Sequence, residues 1–317
     1  MPTRALNDLR LPIIVSPMFL ASGVDLVSAC CRSGVVGTLP AHNARNSEEF
    51  GSWLRQIEDS LVDVQAPGPL AVNLNVNKAR MQRLEADLTL VAEHCVPLVV
   101  TSVGDPREVV EAVHGYGGKV FHDVTNLRHA EKAIEAGVDG LILVCAGAGG
   151  HSGALSPFAL VPQVRRLFDG YVVLAGAISD GRSIRAAQML GADLVYMGTR
   201  FLASQEAAIA PDYKALLMQS QTADVLYTPR ISGVNANFLA TSIRQRGLDP
   251  DNLPEVHRLY RQPEGQDLPK PWVELWSAGQ GVGLIDDLPS VEALVSRLEA
   301  EYRNAEGHLA RSCSQTH

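Results

Sequence analysis

Residues 141–153 read LILVCAGAGGHSG, an aliphatic run followed by a segment with four glycines and one histidine. The aliphatic run is short and is bounded by glycines, which predicts a buried strand of a parallel sheet. The glycines leave backbone amides uncovered, so the main chain can approach a flat or anionic ligand closely. His151 is the one titratable side chain among these glycines, which favours a role as acid, base or ligand over that of a packed core histidine.

The same glycines resemble a dinucleotide-binding fingerprint that follows a strand. In that fingerprint the glycines themselves open the helix. Here the helix is predicted to start later, with Ser156 as N-cap and Pro157 as its first residue. The segment is therefore predicted to be a loop at the carboxyl end of a parallel strand, which is where a barrel carries its active site.

Short β-branched runs alternate with longer segments of helical period from residue 12 onward, which is typical of an α/β fold. Eight such units within about 220 residues predict a (β/α)8 TIM barrel, with a doubly wound open sheet as the alternative. The predicted strands are 12–15, 35–38, 70–74, 98–101, 119–122, 140–144, 172–175 and 194–197, and the predicted helices lie near 24–33, 47–60, 78–94, 106–115, 126–136, 157–168, 181–190 and 205–219.

The alternation stops after residue 220, where Pro, Arg, Gln and Asn become frequent. A further helix is predicted over 290–304, because its apolar residues recur at helical spacing, and residues 308–317 are predicted to fray. We divide the chain into a barrel, 1–225, and an appendage, 226–317. The glycine-rich GQGVG segment predicts close backbone approach, so residues 228–289 are expected to cover the barrel mouth.

The composition indicates an ordinary globular protein of 317 residues, with 46% hydrophobic residues and a net charge of -8. The negative charge and the scattered basic residues argue against nucleic acid and favour a small-molecule partner. No apolar stretch reaches the roughly 18 residues of a membrane span, and the N-terminus lacks a signal peptide's apolar region, so a cytoplasmic location is expected. Five cysteines without metal-type spacing support neither disulfides nor a metal site.

Two glycine loops follow the last two predicted strands, Gly176-Ala177 and Gly198-Thr199. Each exposes backbone amides near a helix start, and this is the usual phosphate site of a TIM barrel. A phosphate-bearing ligand is therefore expected, whereas the absence of a Walker lysine argues against nucleotide triphosphate hydrolysis. Asn73 lies inside the apolar run AVNLNV, so its amide needs a ligand or a backbone partner.

Several segments together resemble the nitronate monooxygenase family, formerly called 2-nitropropane dioxygenases. They are IIVSPM at 13–18, AVNLN at 71–75, AGAGGHSG at 146–153, VLAGAISDGR at 173–182 and LGADLVYMGTRFL at 190–202, followed by ISGVNANFL at 231–239 and WSAGQGVGLI at 276–285. The resemblance implies an FMN-dependent TIM barrel and covers most of the chain.

The resemblance also implies roles for individual residues. It places the FMN phosphate on Gly176, Ala177, Gly198 and Thr199, and it places His151 beside the substrate as the catalytic residue. The other cofactor-binding residues that it implies are Pro17, Met18, Asn73, His122, Ala148, Gly149, Gly150 and Gln280, with Gln280 closing over the flavin.

The leading functional hypothesis is an oxidoreductase that oxidises alkyl nitronates with O2 to a carbonyl compound and nitrite. His151 would remove the α-proton of a nitroalkane, or hold the nitronate anion when protonated. The alternatives are an NAD(P)H-dependent flavin reductase acting on a quinone or an enoyl thioester, a flavin-binding protein with little catalysis, and a barrel that isomerises phosphorylated metabolites. A homodimer is left open.

Three positions depart from the family pattern: Ala177 stands at a second glycine, Asp123 at a lysine of some relatives, and Asn235 at the proline of SGxPAN. The replacement of glycine by Ala177 is expected to cost little free energy if the φ angle at this position is ordinary. A cation would stabilise an anionic reduced flavin. Asp123 therefore leaves open which group provides that stabilisation.

Overall fold

The computed structural model describes residues 4–77, 83–254 and 269–314, with side chains as far as residue 305. Its centre is a closed barrel of eight parallel strands in which the first strand pairs with the last. The predicted barrel is thereby confirmed over the open sheet. The barrel strands are β1 (Ile13–Val15), β2 (Val36–Pro40), β3 (Leu70–Asn75), β4 (Leu98–Ser102), β5 (Lys119–Val124), β6 (Gly140–Val144), β8 (Tyr171–Ala175) and β9 (Leu194–Met197).

Helices follow the strands and surround the barrel. Several begin at side chains that cap them: Asn46 accepts from the Glu49 N–H, and Asp180 accepts from the Ser183 N–H. Residues 78–82 of the predicted third helix lie outside the described residues. The first seven helices are α1 (Val24–Arg32), α2 (Ser47–Ser60), α3 (Leu84–Glu93), α4 (Arg107–His114), α5 (Leu127–Glu135), α6 (Pro157–Arg165) and α7 (Gly181–Leu190).

The eighth outer position is occupied by α11 (Val291–Ser314), which lies against α7 and α1. Its residues Leu294 and Leu298 join the core shared by the barrel strands and their helices. The sequence assigns the eighth position to 205–219, and this is wrong. Apolar periodicity shows that a helix has a buried face but does not show which surface covers it. The helix also continues to Ser314, where the sequence predicts a frayed tail.

The residues after β9 form the one-turn helix α8 (Thr199–Leu202) and then α9 (Pro211–Gln219). The buried side chains of α9 pack in a separate cluster with Leu239 and Val282 from the last third of the chain. The predicted helix at 205–219 therefore exists in shortened form, but it supports the mouth of the barrel instead of its outer ring.

A small antiparallel sheet lies beside the barrel mouth. It consists of β10 (Val225–Thr228), β11 (Ala236–Leu239) and β7 (Gly150–His151), and α10 (Ala240–Gln245) follows it. The sheet attaches residues 225–239 to the glycine-rich loop after β6. The division of the chain at residue 225 stays a prediction. None of the described helices is both long and apolar enough to cross a membrane.

Side-chain alternation along the strands decides which residues reach the barrel interior. Ile14, Ala71, Phe121, Ile142 and Leu194 form an interior cluster, separate from the core under the outer helices. The next interior-facing residues along the strands lie at the carboxyl ends, where many of them are polar. The fold thus places a polar layer directly beneath the barrel mouth.

Replacement of Leu298 tests whether α11 is part of the barrel. Leu298 is 1% exposed in the main core, so Leu298→Ala is expected to lower the free energy of unfolding by about 2–5 kcal/mol. The exposed Glu292 on the same helix is the control, and Glu292→Ala should stay within about 0.5 kcal/mol of wild type. Urea unfolding measures both, and equal small effects would contradict the placement.

Candidate active site

A cavity of about 1630 Å³ opens at the carboxyl ends of the barrel strands. Single small-molecule pockets typically measure about 300–1,000 Å³, so this cavity has room for a cofactor together with a substrate. Its floor is the polar layer of interior-facing residues, and the loops after β6, β8 and β9 and the segment 277–281 form its walls. The floor residues are Ser16, Asn73, Asn75, Ser102, Asp123, Val144, Ala175, Tyr196 and Gly198.

The loop after β6 is packed so closely that its glycines are required. A Cβ atom on Gly149 would lie 2.9 Å from the Gly279 nitrogen and 3.1 Å from the Thr199 hydroxyl oxygen. Gly147 has a φ of 86° and Gly150 a φ of 68°, in the left-handed region that favours glycine. The loop therefore presents its backbone, and Ala148, Gly149 and Gly150 line the cavity. Their role in binding a cofactor stays a prediction.

The two predicted phosphate loops lie side by side on adjacent strands. A Cβ atom on Gly176 would lie 2.7 Å from the Ala146 carbonyl oxygen, and one on Gly198 would lie 2.5 Å from the Ser16 hydroxyl. The Thr199 hydroxyl accepts a 2.9 Å hydrogen bond from the Gly279 N–H. Gly176, Ala177, Gly198 and Thr199 all line the same cavity. Their role in holding phosphate stays a prediction.

Ala177 adopts a φ of 54°, which lies in the left-handed region. A small energetic cost for alanine at this position was expected only for an ordinary, negative φ, and that condition is not met. The left-handed conformation costs an alanine about 1–2 kcal/mol, whereas a glycine adopts it readily. The Ala177 N–H donates to the Gly147 carbonyl at 3.3 Å, which helps to hold the turn. Strained backbone of this kind is concentrated at functional sites.

His151 lies on the short strand β7, where the sequence predicts an irregular loop. Its partner in the sheet is Ala236 of β11. The imidazole is exposed and faces the cavity, and its ring centroid lies 5.0 Å from that of Trp272 in an edge-on arrangement. A two-residue strand leaves no periodic signal in a sequence, because tertiary pairing alone creates it.

A chain of hydrogen bonds holds the strand of His151 in position. The Gly150 N–H donates to the Ser277 hydroxyl at 2.7 Å, and that hydroxyl donates to the Asn237 carbonyl at 2.6 Å. The Asn237 side-chain amide donates to the Ala148 carbonyl at 2.6 Å. Residues far along the chain therefore determine where His151 points, and the sequence gives no local signal for them.

Pro17, Met18 and Asn73 line the cavity, and their contact with a cofactor stays a prediction. The Met18 sulfur would lie 3.5 Å from a Cβ atom on Gly198, so it borders the predicted phosphate loop. Asn73 is 4% exposed, and its side-chain amide donates to the Val100 carbonyl at 3.2 Å. This is the backbone partner that its burial requires.

His122 and Asp123 lie on opposite faces of β5. Alternation aligns His122 with Val120 and Val124 on the helix side, where its Nδ1 lies 2.8 Å from the Thr101 hydroxyl. Burial, and then the nearby His129, lower the pKa of His122 to about 4, so its imidazole is neutral at pH 7. His122 also lines the cavity, and its contact with a cofactor stays a prediction, but the interior-facing residue at this level of the barrel is Asp123.

Asp123 and Tyr196 are floor residues that the sequence does not single out as ligands. Asp123 and Tyr196 were missed because both faces of a barrel strand are buried, so hydrophobicity alone does not reveal which residues point inward.

Gln280, which the sequence places over the flavin, has an exposed side chain beside Gly147, and its neighbours Gly279 and Gly281 line the cavity.

The chain belongs to the nitronate monooxygenase family, whose pattern it matches over residues 3–301. It is therefore an enzyme of an oxidoreductase family, and the family implies a flavin cofactor. A probable nitronate monooxygenase of Staphylococcus saprophyticus is 27% identical to it, over 92% of this chain and 95% of the relative.

Solved structures share the fold over nearly the whole chain. A mutant of FabK from Thermotoga maritima is 25% identical, with a TM-score of 0.76 over 96% of each chain. A nitroalkane oxidase from Streptomyces ansochromogenes is 24% identical, with a TM-score of 0.78 over 96% of this chain and 100% of the other.

The cavity residues fit a flavin. Gly149, Gly176 and Gly198 line the cavity, and a Cβ atom on any of them would collide with neighbouring protein atoms. These loops therefore present bare backbone at the cavity, and a flat ring can approach bare backbone closely. Met18 offers an apolar contact, while Thr199 offers a hydroxyl at the predicted phosphate position. The polar floor atoms Asp123 Oδ1 and Tyr196 Oη have no hydrogen-bond partner among the described residues, which suits a polar ligand group above them.

The hydrogen bonds of Ser277 provide a test of the site's support. Ser277→Ala removes the partner of both the Gly150 N–H and the Asn237 carbonyl, so the free energy of unfolding should fall by about 1–3 kcal/mol. Amide hydrogen exchange at Gly150 should also accelerate. Ser156→Ala, at an exposed serine whose side chain makes no capping hydrogen bond, is the control. Unchanged exchange at Gly150 in Ser277→Ala would contradict the role assigned to this hydroxyl.

Proposed function

We propose that this protein is an FMN-dependent nitronate monooxygenase that oxidises alkyl nitronates with O2 to a carbonyl compound and nitrite. The observation that carries the proposal is the position of His151 on the same cavity as the glycine loops of β6, β8 and β9. An exposed imidazole beside a cavity with room for a flavin suits a substrate whose reaction requires the transfer of one proton. Family membership supports the same reaction class.

FMN fits the proposal better than FAD because the two glycine loops provide one phosphate site. Gly176 and Gly198 would offer backbone amides to the phosphate, and the Thr199 hydroxyl would add a further donor. Pro17, Met18 and Asn73 would lie against the ring system. When bound, the flavin supplies the redox chemistry, and the protein supplies its placement and electrostatics.

His151 has two roles in the proposal, and each depends on its protonation state. The neutral imidazole accepts the α-proton of a nitroalkane, whereas the imidazolium holds the negative charge of a nitronate that is already formed. The edge of the Trp272 ring restricts the imidazole orientation. The pairing of β7 with β11 keeps the histidine backbone fixed at the cavity edge.

Anaerobic mixing tests the reaction class directly. The purified protein, loaded with FMN, is mixed separately with propionate 3-nitronate, NADH and NADPH while flavin absorbance is followed. Bleaching with the nitronate, and recovery when O2 is admitted with release of nitrite, is the expected result. Bleaching with NADH or NADPH alone would overturn the proposal in favour of a flavin reductase that acts on a quinone or an enoyl thioester.

His151→Asn separates the two substrates because a preformed nitronate needs no base. Turnover of neutral nitroalkanes should fall by roughly 10²–10⁴-fold, as expected for loss of a general base, while nitronate oxidation should fall much less. The FMN content should stay unchanged, since the phosphate loops lie elsewhere. His114→Asn is the matched control, because His114 pairs with Asp139 away from the cavity. Equal losses on both substrates with full flavin would exclude His151 as the base.

A further inference from the structure

Two buried polar atoms on the cavity floor have no hydrogen-bond partner among the described residues: Asp123 Oδ1 and Tyr196 Oη. Both side chains line the cavity, and alternation along β5 and β9 turns both toward the barrel interior. Buried polar atoms are almost always paired in native proteins. The two atoms therefore indicate a ligand group that completes them.

Both groups are neutral near pH 6. Burial raises the pKa of Asp123 to about 7. Burial, and then the negative charge of Asp123, raise the pKa of Tyr196 well above its usual value. A protonated carboxyl and a phenol each carry one O–H donor, and neither finds an acceptor within the described part of the chain. The floor thus holds two O–H donors that await an acceptor.

We propose that Asp123 and Tyr196 act together as neutral hydrogen-bond donors to the ring of the bound flavin, and that they stabilise the ring in its reduced, anionic state. The proposal rests on the proposed function only in requiring that FMN binds in this cavity. A tyrosine and a neutral carboxylic acid in an apolar site form an effective donor pair for an oxyanion in other enzymes. Here the donor pair would stabilise the negative charge of the reduced flavin, as a nearby cation would.

The charge balance favours a neutral carboxyl. Reduction of the oxidised ring by two electrons and one proton gives a ring with one negative charge, and the electrons come from the substrate or from an added reductant. A carboxylate facing that ring would repel it, whereas a carboxylic acid donates a hydrogen bond to it. The ring's negative charge also opposes loss of the carboxyl proton. The donor role therefore requires that Asp123 carries its proton when the ring is reduced.

The sign of a change in midpoint potential distinguishes these two states of Asp123. Removal of a neutral donor weakens binding of reduced FMN and lowers the potential, whereas removal of a carboxylate relieves repulsion and raises it. The FMN-loaded protein and its variants are titrated with dithionite at pH 6, and the midpoint potential is read from the flavin spectrum. Oxidised FMN affinity is measured in parallel.

Asp123→Leu and Tyr196→Phe should each bind reduced FMN about tenfold less tightly relative to oxidised FMN. For a two-electron couple, this corresponds to a fall of about 30 mV. Asp123→Asn keeps an N–H donor without a charge, so its potential should stay much closer to that of wild type. Tyr171→Phe, which removes a phenol that donates to Asn7 at the other end of the barrel, is the matched control and should not shift the potential.

A higher potential in Asp123→Leu would overturn the inference, since it would show that the carboxyl is ionised. Unchanged potentials in both Asp123→Leu and Tyr196→Phe would also overturn it. If Asp123→Leu fails to fold, the nearly isosteric Tyr196→Phe decides the result. A wild-type protein that binds FMN but does not oxidise nitronates contradicts the proposed function alone, because the potentials still test the donor pair.

Discussion

Two backbone hydrogen bonds converge on the carbonyl oxygen of Gly147, and the shape of the barrel mouth depends on them. The Gln280 N–H donates to this oxygen at 2.9 Å and the Ala177 N–H donates at 3.3 Å. The loops after β6 and β8 and a segment from the last third of the chain thus meet at one atom. Such contact needs bare backbone: a Cβ atom on Gly279 would lie 2.6 Å from the same oxygen. The glycines of the β6 loop therefore serve main-chain packing as well as any ligand.

Residues that are distant in the sequence therefore build the site together. The barrel supplies the polar floor and the two predicted phosphate loops. The strand that carries His151 exists because β11 pairs with it, and Ser277 joins the two through Gly150 and Asn237. The C-terminal third of the chain is consequently part of the cavity wall and of the support for the proposed base.

The fold could be predicted from the sequence, because each barrel strand is a short apolar run bounded by turns and each outer helix has an apolar face. The glycine-rich walls of the cavity could also be recognised, as at Gly149, Gly176 and Gly198, since clustered glycines are visible in a sequence. Three features were beyond reach for physical reasons. Helical period could not assign α11 to the outer ring, the φ of Ala177 follows from its tertiary contacts, and strands buried on both faces conceal that Asp123 points inward.

The position of α11 has a consequence for how the chain reaches its native state. Arg10, just before the first barrel strand, donates a 2.8 Å hydrogen bond to Glu299 of α11, across a sequence separation of 289 residues. Helix α11 packs against α1 and α7, so the surfaces that it covers on these two helices stay exposed until it is synthesised. Contacts of such long sequence separation form slowly, and the uncovered faces promote association between incomplete chains. The apolar core under α11 is thus completed only by residues made near the end of synthesis, after all eight barrel strands.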